Sequence, residues 1–359
     1  MKRSAVLGFA ALCVAAWMGA ASAQEVTTIT GAGSTFAHPV LTKWSRAYRQ
    51  GGSGDFPTTN SGLEDPQSGS ILDYEPSGSL AGTMRVKDRA VDFGASDAPL
   101  KSDELAKLGL GQFPIVIGGV VVAVNVEGIG PGQIKFTGPL LADIFMGKVT
   151  TWSDPAIKAV NPDLKLPDAK IAVIHRAEGS GTTFNLADYL AKVSPPWRQA
   201  MGVDTVLKWP TGTGAKGNEG VAQAVKRTNN AIGYVEYTQA VQAKLTTALI
   251  QNSAGTFVKP DTQSFQAAAA RADWSKTSDF HLLLTDAPGT DAYPIAATVF
   301  VLMHKQPTWL QNPRATLDFF RWTLDHGAKH AADLGYVPLP PSLATQVKDY
   351  WSKTFKVGY

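Results

Sequence analysis

Arg176, Glu178 and the run Gly179-Ser180-Gly181-Thr182-Thr183 put a full positive charge, a carboxylate and a hydroxyl-rich glycine turn side by side in the chain. The arginine offers a planar fork of donors suited to an oxyanion. The glutamate two residues on can face the same way and hold the guanidinium still. Upstream, the β-branched run over 171–174 reads as a buried strand, and the pattern over 184–192 reads as a helix. The glycine turn therefore sits at a strand-to-helix junction, where backbone N–H groups not consumed by the helix point together and form an anion cradle. No base, metal ligand or second carboxylate lies nearby in sequence. The stretch points to holding an anion rather than transforming one.

Three other junctions repeat this arrangement. A strand over 26–30 runs into Gly31-Ala32-Gly33-Ser34-Thr35-Phe36, and Pro39 then suits a helix start. A strand over 71–74 leads to Pro76-Ser77-Gly78-Ser79, with Ser79 expected as N-cap of a helix reaching 89. A strand over 91–97 delivers Asp97 at its carboxyl end, and Pro99 stops it. The carboxyl ends of strands are where open α/β sheets bind ligands, and four of them carry Thr35, Ser79, Asp97 and Ser180.

The elements that must hold these ends continue in the same alternation. A valine-rich run over 115–126, with Gly118-Gly119 inside it, reads as a central strand buried on both faces and long enough to pass from one lobe into another. Beyond it come a helix near 143–147, a strand over 206–209, a helix over 218–226 and a strand over 232–237. Helical patterns near 239–244 and 262–271 follow, then a strand over 295–304 and helices over 314–326 and 343–354. Such alternation without a sequence repeat means α/β architecture.

Composition sets the limits. The chain has 359 residues, 44% of them apolar, enough for two domains with proper cores. Residues 1–23 read as a cleaved signal peptide: Lys2 and Arg3, an apolar run over 5–20, and Ala21-Ser22-Ala23 as a cleavage site before Gln24. Cleavage would leave 31 basic against 30 acidic residues, a net charge of +1 in place of +3, so neither nucleic acid nor an anionic membrane is an expected partner. The single cysteine, Cys13, leaves with the leader, so neither a disulfide nor a cysteine metal site is expected. No other apolar run reaches the ~18 residues of a membrane span. The segment over 50–70, rich in glycine and small polar residues, is expected to be a flexible insertion. The expected compartment is a bacterial periplasm.

ITGAGSTF at 29–36, Gly78-Ser79, VDFGASDAPL at 91–100, FPIVIGGVVVAVN at 113–125, HRAEGSGTTF at 175–184, GAKGNEGVA at 214–222 and AIGYVEY at 231–237 occur in an order that resembles the periplasmic phosphate-binding proteins of bacterial ABC importers, the PstS type. The resemblance spans nearly the whole mature chain except the 50–70 insertion. It implies a two-lobed, Venus-flytrap α/β protein, with a ligand cleft between the lobes, that binds inorganic phosphate and passes it to membrane permease subunits with their ATPase. Matched motif by motif, it implies that Thr35 and Phe36, Ser79, Asp97, Arg176, Ser180, Gly181 and Thr182 hold the ligand, with Glu178 supporting Arg176. A monomer without cofactor is expected. Lobe I would comprise 24–115 plus 295–359, and lobe II 116–294. Asp97 beside an anion makes sense if the ligand brings a proton: phosphate at neutral pH has one and sulphate has none.

Competing readings fare less well. A receptor for another oxyanion, such as sulphate or molybdate, leaves Asp97 unexplained. An exported phosphatase would require a nucleophile with its base or a metal cluster. Ser180 lacks the flanking glycines of a nucleophile elbow, since 178 is Glu and 182 is Thr. Gly212-Thr213-Gly214-Ala215-Lys216-Gly217 matches a dinucleotide-binding pattern, but Pro210 breaks the preceding strand, and a turn at the edge of a lobe is the expected role. The six histidines show no metal-ligand spacing, and His175 is expected to be an edge residue.

Overall fold

The computed structural model of the chain describes residues 27–50 and 71–356. The signal peptide and nearly all of the 50–70 insertion lie outside them. In chain order the strands are β1 (Thr28–Gly33), β2 (Ile71–Glu75), β3 (Phe93–Ser96), β4 (Leu110–Asn125), β5 (Lys135–Phe136), β6 (Ala172–Arg176) and β7 (Thr213–Ala215). They continue with β8 (Ala231–Glu236), β9 (Thr246–Thr247), β10 (Leu249–Gln251), β11 (Phe257–Val258), β12 (Ala296–His304) and β13 (Val337–Pro338). The principal sheet runs β2-β1-β3-β12-β4-β8-β6-β7, with β9 and β13 pairing additionally on β4.

β4 organises the molecule. Its valine-rich sequence forms a 16-residue strand buried along all but its last residue, because neighbours cover both faces. Leu110–Gly119 pairs antiparallel with β12, and Val120–Asn125 pairs antiparallel with β8. One half of the sheet thus holds the parallel set β2-β1-β3, and the other holds the parallel set β8-β6-β7. Gly118 and Gly119 sit at the changeover. A Cβ on Gly118 would stand 2.9 Å from the Phe36 ring, and one on Gly119 2.2 Å from the Phe265 ring. Both aromatic rings therefore lie flush on the strand.

The junctions follow the sequence reading with local corrections. Gly78, at φ +99°, is the residue before the helix Ser79–Lys87, so Ser79 is its first turn rather than its N-cap. A left-handed glycine makes that turn tighter than a serine cap allows. Gly82 brings the helix onto β1 and β3, since a Cβ there would lie 2.5 Å from Gly33 Cα. The helix after the Ser180 turn starts at Gly181 and runs to Val193, three residues earlier than the apolar pattern predicts, with Ser180 as its N-cap. Residues 206–209 do not form a strand. Trp209 instead packs its ring on His175, Tyr234, Phe145 and Trp197, while Val206 is exposed, so the alternation there records one half-buried aromatic in a loop. Strand formation shifts past Pro210 to β7, making part of the glycine pattern at 212–217 an edge strand rather than a turn.

Candidate anion-binding site

The carboxyl ends of β1, β3 and β6 and the first turns of the helices Ser79–Lys87, Gly181–Val193 and Gly217–Arg227 converge on one buried cluster. Arg176 ends β6 with its side chain 1% exposed. Its Nε donates to Glu178 Oε1 at 2.9 Å, and its Nη2 donates to the same oxygen. Nη1 donates to Thr182 Oγ1 at 3.1 Å. Glu178 Oε1 also accepts from Gly217 N at 3.0 Å, so the glutamate both fixes the guanidinium and anchors the start of the helix Gly217–Arg227.

Asp97 faces this cation from the opposite half of the sheet. It is 2% exposed; Oδ1 accepts from Ser34 Oγ, and Oδ2 from Thr182 Oγ1 at 3.3 Å. Asp97 N donates to Ser79 Oγ at 3.2 Å, and Asp97 O accepts from Asn185 Nδ2 at 2.7 Å. Burial pushes its carboxyl up to about 6, against the lowering effects of the Ser34 hydrogen bond, the Arg176 charge and the Thr182 hydrogen bond. The group thus changes charge close to the pH range in which phosphate itself does.

Gly181 stands where the two halves meet most closely. A Cβ there would approach Ser79 Oγ at 2.5 Å, Asp97 Cβ at 2.7 Å and Asp97 Cγ at 2.8 Å. Leu80 N donates to Gly179 O at 3.2 Å across the same seam. Ser180 is fully buried; its Oγ accepts from Thr183 N at 3.2 Å and its N–H donates to Thr205 O at 2.9 Å. Capping by Ser180 leaves the amides of Gly181 and Thr182 outside the helix's own ladder. Phe36 contributes backbone: its O accepts from Tyr336 Oη at 2.7 Å, and its ring is buried against Tyr336.

Thr35, Ser79, Asp97, Arg176, Gly181 and Thr182 meet in one constellation, with Glu178 on Arg176, while Ser180 caps the helix beside it and Phe36 packs on Tyr336. Among the buried side chains in the constellation that escaped sequence reasoning are Ser34, Asn185 and Asn218. Ser34 holds Asp97, and its only signal was a hydroxyl inside the first glycine turn. Asn218, fully buried, donates from Nδ2 to Thr35 Oγ1 at 2.9 Å and to Thr182 Oγ1 at 3.2 Å; it was visible only as part of GAKGNEGVA. His175 packs its ring on Trp209 at 5.0 Å, outside the polar cluster. Among the described residues no group of three or more His, Cys, Asp and Glu side chains could hold a metal, and no helix is long and apolar enough to cross a membrane.

A buried guanidinium held by Glu178, with hydroxyls, unspent helix amides and the Asp97 carboxylate facing it across two halves of an α/β fold, is an arrangement suited to enclosing a small oxyanion. Residues 19–326 match the model of the PBP superfamily domain, so the class is that of two-lobed periplasmic solute-binding proteins. The phosphate-binding protein PstS of Xylella fastidiosa (strain Temecula1) is 48% identical over 328 residues, covering 91% of this chain and 86% of its own. That of Pasteurella multocida is 42% identical over 332 residues and covers 92% of each. The chain belongs to the PstS family of phosphate-binding proteins. Among solved structures, a phosphate-binding protein from Stenotrophomonas maltophilia superposes with a TM-score of 0.60 at 18% identity, covering 90% of this chain and 93% of that one. An ABC-type phosphate transport receptor from Vibrio cholerae gives 0.54 at 18% identity, over 87% of this chain and all of the other. Both share the fold.

Proposed function

We propose that this protein is exported, captures inorganic phosphate between its two lobes and delivers it to an ABC-type membrane importer. Family membership supports the ligand class and the transport role. The observation that carries the reading is the buried pair of opposites at the seam, Arg176 from one half and Asp97 from the other, with Thr182 hydrogen-bonded to both. A buried anion needs its oxygens saturated by donors. Arg176, the hydroxyls of Thr35, Ser79, Ser180 and Thr182 and the amides of Phe36, Gly181 and Thr182 supply them.

Asp97 is the single acceptor of the set. An ionised carboxylate there welcomes a ligand that can donate a proton and repels one that cannot, which selects phosphate over sulphate. Nothing in this arrangement calls for a chemical step, so the role is binding and release. The lobe boundaries, 24–115 with 295–359 and 116–294, draw on the change of partners along β4, which falls between Gly119 and Val120, a few residues beyond the boundary at 115. The 1–23 leader and its cleavage after Ala23 supply the route to the periplasm, where the protein acts as a monomer beside the permease and its ATPase.

The direct test is to unfold the purified protein, assay the released inorganic phosphate, refold and titrate with phosphate. Tight one-to-one binding is expected. A refolded protein that ignores phosphate yet binds sulphate or molybdate would retain the cradle and lose the assigned ligand.

A further inference from the structure

We infer that Asn218 is a positioning residue that makes the hydroxyls of Thr35 and Thr182 obligate donors, and so sets the direction of the hydrogen bonds the site offers its anion. The inference rests on the binding reading above and adds a residue and a mechanism to it.

The amide's orientation is fixed by chemistry. Glu236 N–H is a pure donor and lies 3.0 Å from the Asn218 side chain, so the atom facing it must be Oδ1. Both hydrogens of Nδ2 then point the other way, one to Thr35 Oγ1 at 2.9 Å and one to Thr182 Oγ1 at 3.2 Å. Asn218 N reaches Thr35 Oγ1 as well, at 3.3 Å. Thr35 Oγ1 has thereby filled both lone pairs with donors from Asn218. Thr182 Oγ1 has filled its two with Asn218 Nδ2 and with Arg176 Nη1 at 3.1 Å. A hydroxyl with both lone pairs taken can only donate. Thr182 does so here, toward Asp97 Oδ2 at 3.3 Å.

The consequence is a sorted site. Without Asn218 each threonine could rotate its proton away and present a lone pair to the anion, which would be repelled. With it, both hydroxyls are preorganised as donors before the ligand arrives, and Asp97 alone accepts. Thr35 follows β1 whereas Thr182 and Asn218 follow strands of the other half of the sheet, so the same amide ties the two halves together in this arrangement. Asn218 owes its own rigidity to the β8 end: Glu236 also caps the helix Tyr237–Gln242 through Thr238 N at 2.6 Å and Gln239 N at 3.0 Å.

The test is a thermodynamic cycle read by calorimetric titration with inorganic phosphate, using the full mature chain as wild type, Asn218→Ala, the double variant Thr35→Val/Thr182→Val, and all three changes together. Unliganded unfolding midpoints are recorded alongside. Asn218→Ala alone should weaken phosphate binding about tenfold to a hundredfold, the cost of losing buried hydrogen-bond direction. In the Thr35→Val/Thr182→Val background the same change should cost less than about threefold, because its targets are gone. Equal losses in both backgrounds would mean that Asn218 merely supports the fold, and would overturn the inference while leaving the phosphate reading intact. Absence of phosphate binding by the wild type would overturn both.

Discussion

At the scale of single residues, Asp97 carries the most distinctive chemistry. Its carboxyl is held up near 6 chiefly by burial, so the folded, unliganded protein binds that proton more tightly than the unfolded chain does. The stability this contributes is complete below about pH 4 and is lost as pH rises through about 6. Asp97→Asn should therefore raise the unliganded unfolding midpoint at pH 8, with the gain vanishing toward pH 4, as scanning calorimetry would record. The same variant should lose discrimination against sulphate, because its neutral amide can donate where the carboxylate could only accept. Unchanged selectivity would remove Asp97 from its role as proton reader. Gly181 makes a second case. Gly181→Ala puts a methyl group 2.5 Å from Ser79 Oγ, and relieving that clash at ~1–3 kcal/mol should weaken phosphate binding about tenfold or more. An alanine variant that binds as tightly as wild type would mean that the two halves do not meet there when ligand is bound.

At the scale of elements, the site was legible wherever backbone chemistry announces itself. Glycine turns after β-branched runs marked the ends of β1 and β6 and the start of the helix Ser79–Lys87, and the ordered motifs fixed which side chains faced inward. Two kinds of feature were not legible. Asn218 and Ser34 act through partners distant in sequence, and a lone Asn or Ser carries no periodic signal. The strand expected over 206–209 does not form because one half-buried tryptophan packing from a loop mimics alternation. The Gly118-Gly119 pair, noted in the sequence only as part of the buried run, is the floor on which the Phe36 and Phe265 rings rest. Gly119→Ala should force the Phe265 ring aside and lower stability by ~1–3 kcal/mol, seen as a shifted denaturation midpoint with an unchanged denaturant slope. A neutral effect would show that this packing is slack.

At the scale of the whole molecule, two buried carboxyls make stability depend on pH in one direction. Asp97 is raised to about 6 and Glu236, buried in the β8 end, to about 7, both chiefly by burial. Each contribution is present below the unfolded values and lost as pH rises through the folded ones. The carboxyls held low, Asp103, Asp273 and Asp333, sit on the surface in ion pairs with lysines and lose their contributions only below their usual range. His38 and His304, held below their usual value chiefly by burial, pull the other way as pH falls, so the carboxyl contribution is the part of the melting difference between pH 5 and pH 8 that disappears in Asp97→Asn/Glu236→Gln. Phosphate added at pH 8 should more than recover the difference by mass action, since a ligand at a thousandfold its dissociation constant contributes ~4 kcal/mol. An identical pH dependence in wild type and Asp97→Asn/Glu236→Gln would mean that neither carboxyl is buried in solution as it is here.

The most direct measurement is calorimetric titration of the phosphate-free mature protein with phosphate and with sulphate at pH 8 and at pH 5. At pH 8, where Asp97 is ionised, phosphate should bind tightly and sulphate should give no heat of binding. At pH 5, where Asp97 holds a proton it can donate, sulphate should begin to bind. Sulphate binding at pH 8 with an affinity like that of phosphate, or no phosphate binding at either pH, would contradict a site built to hold phosphate and to read its proton.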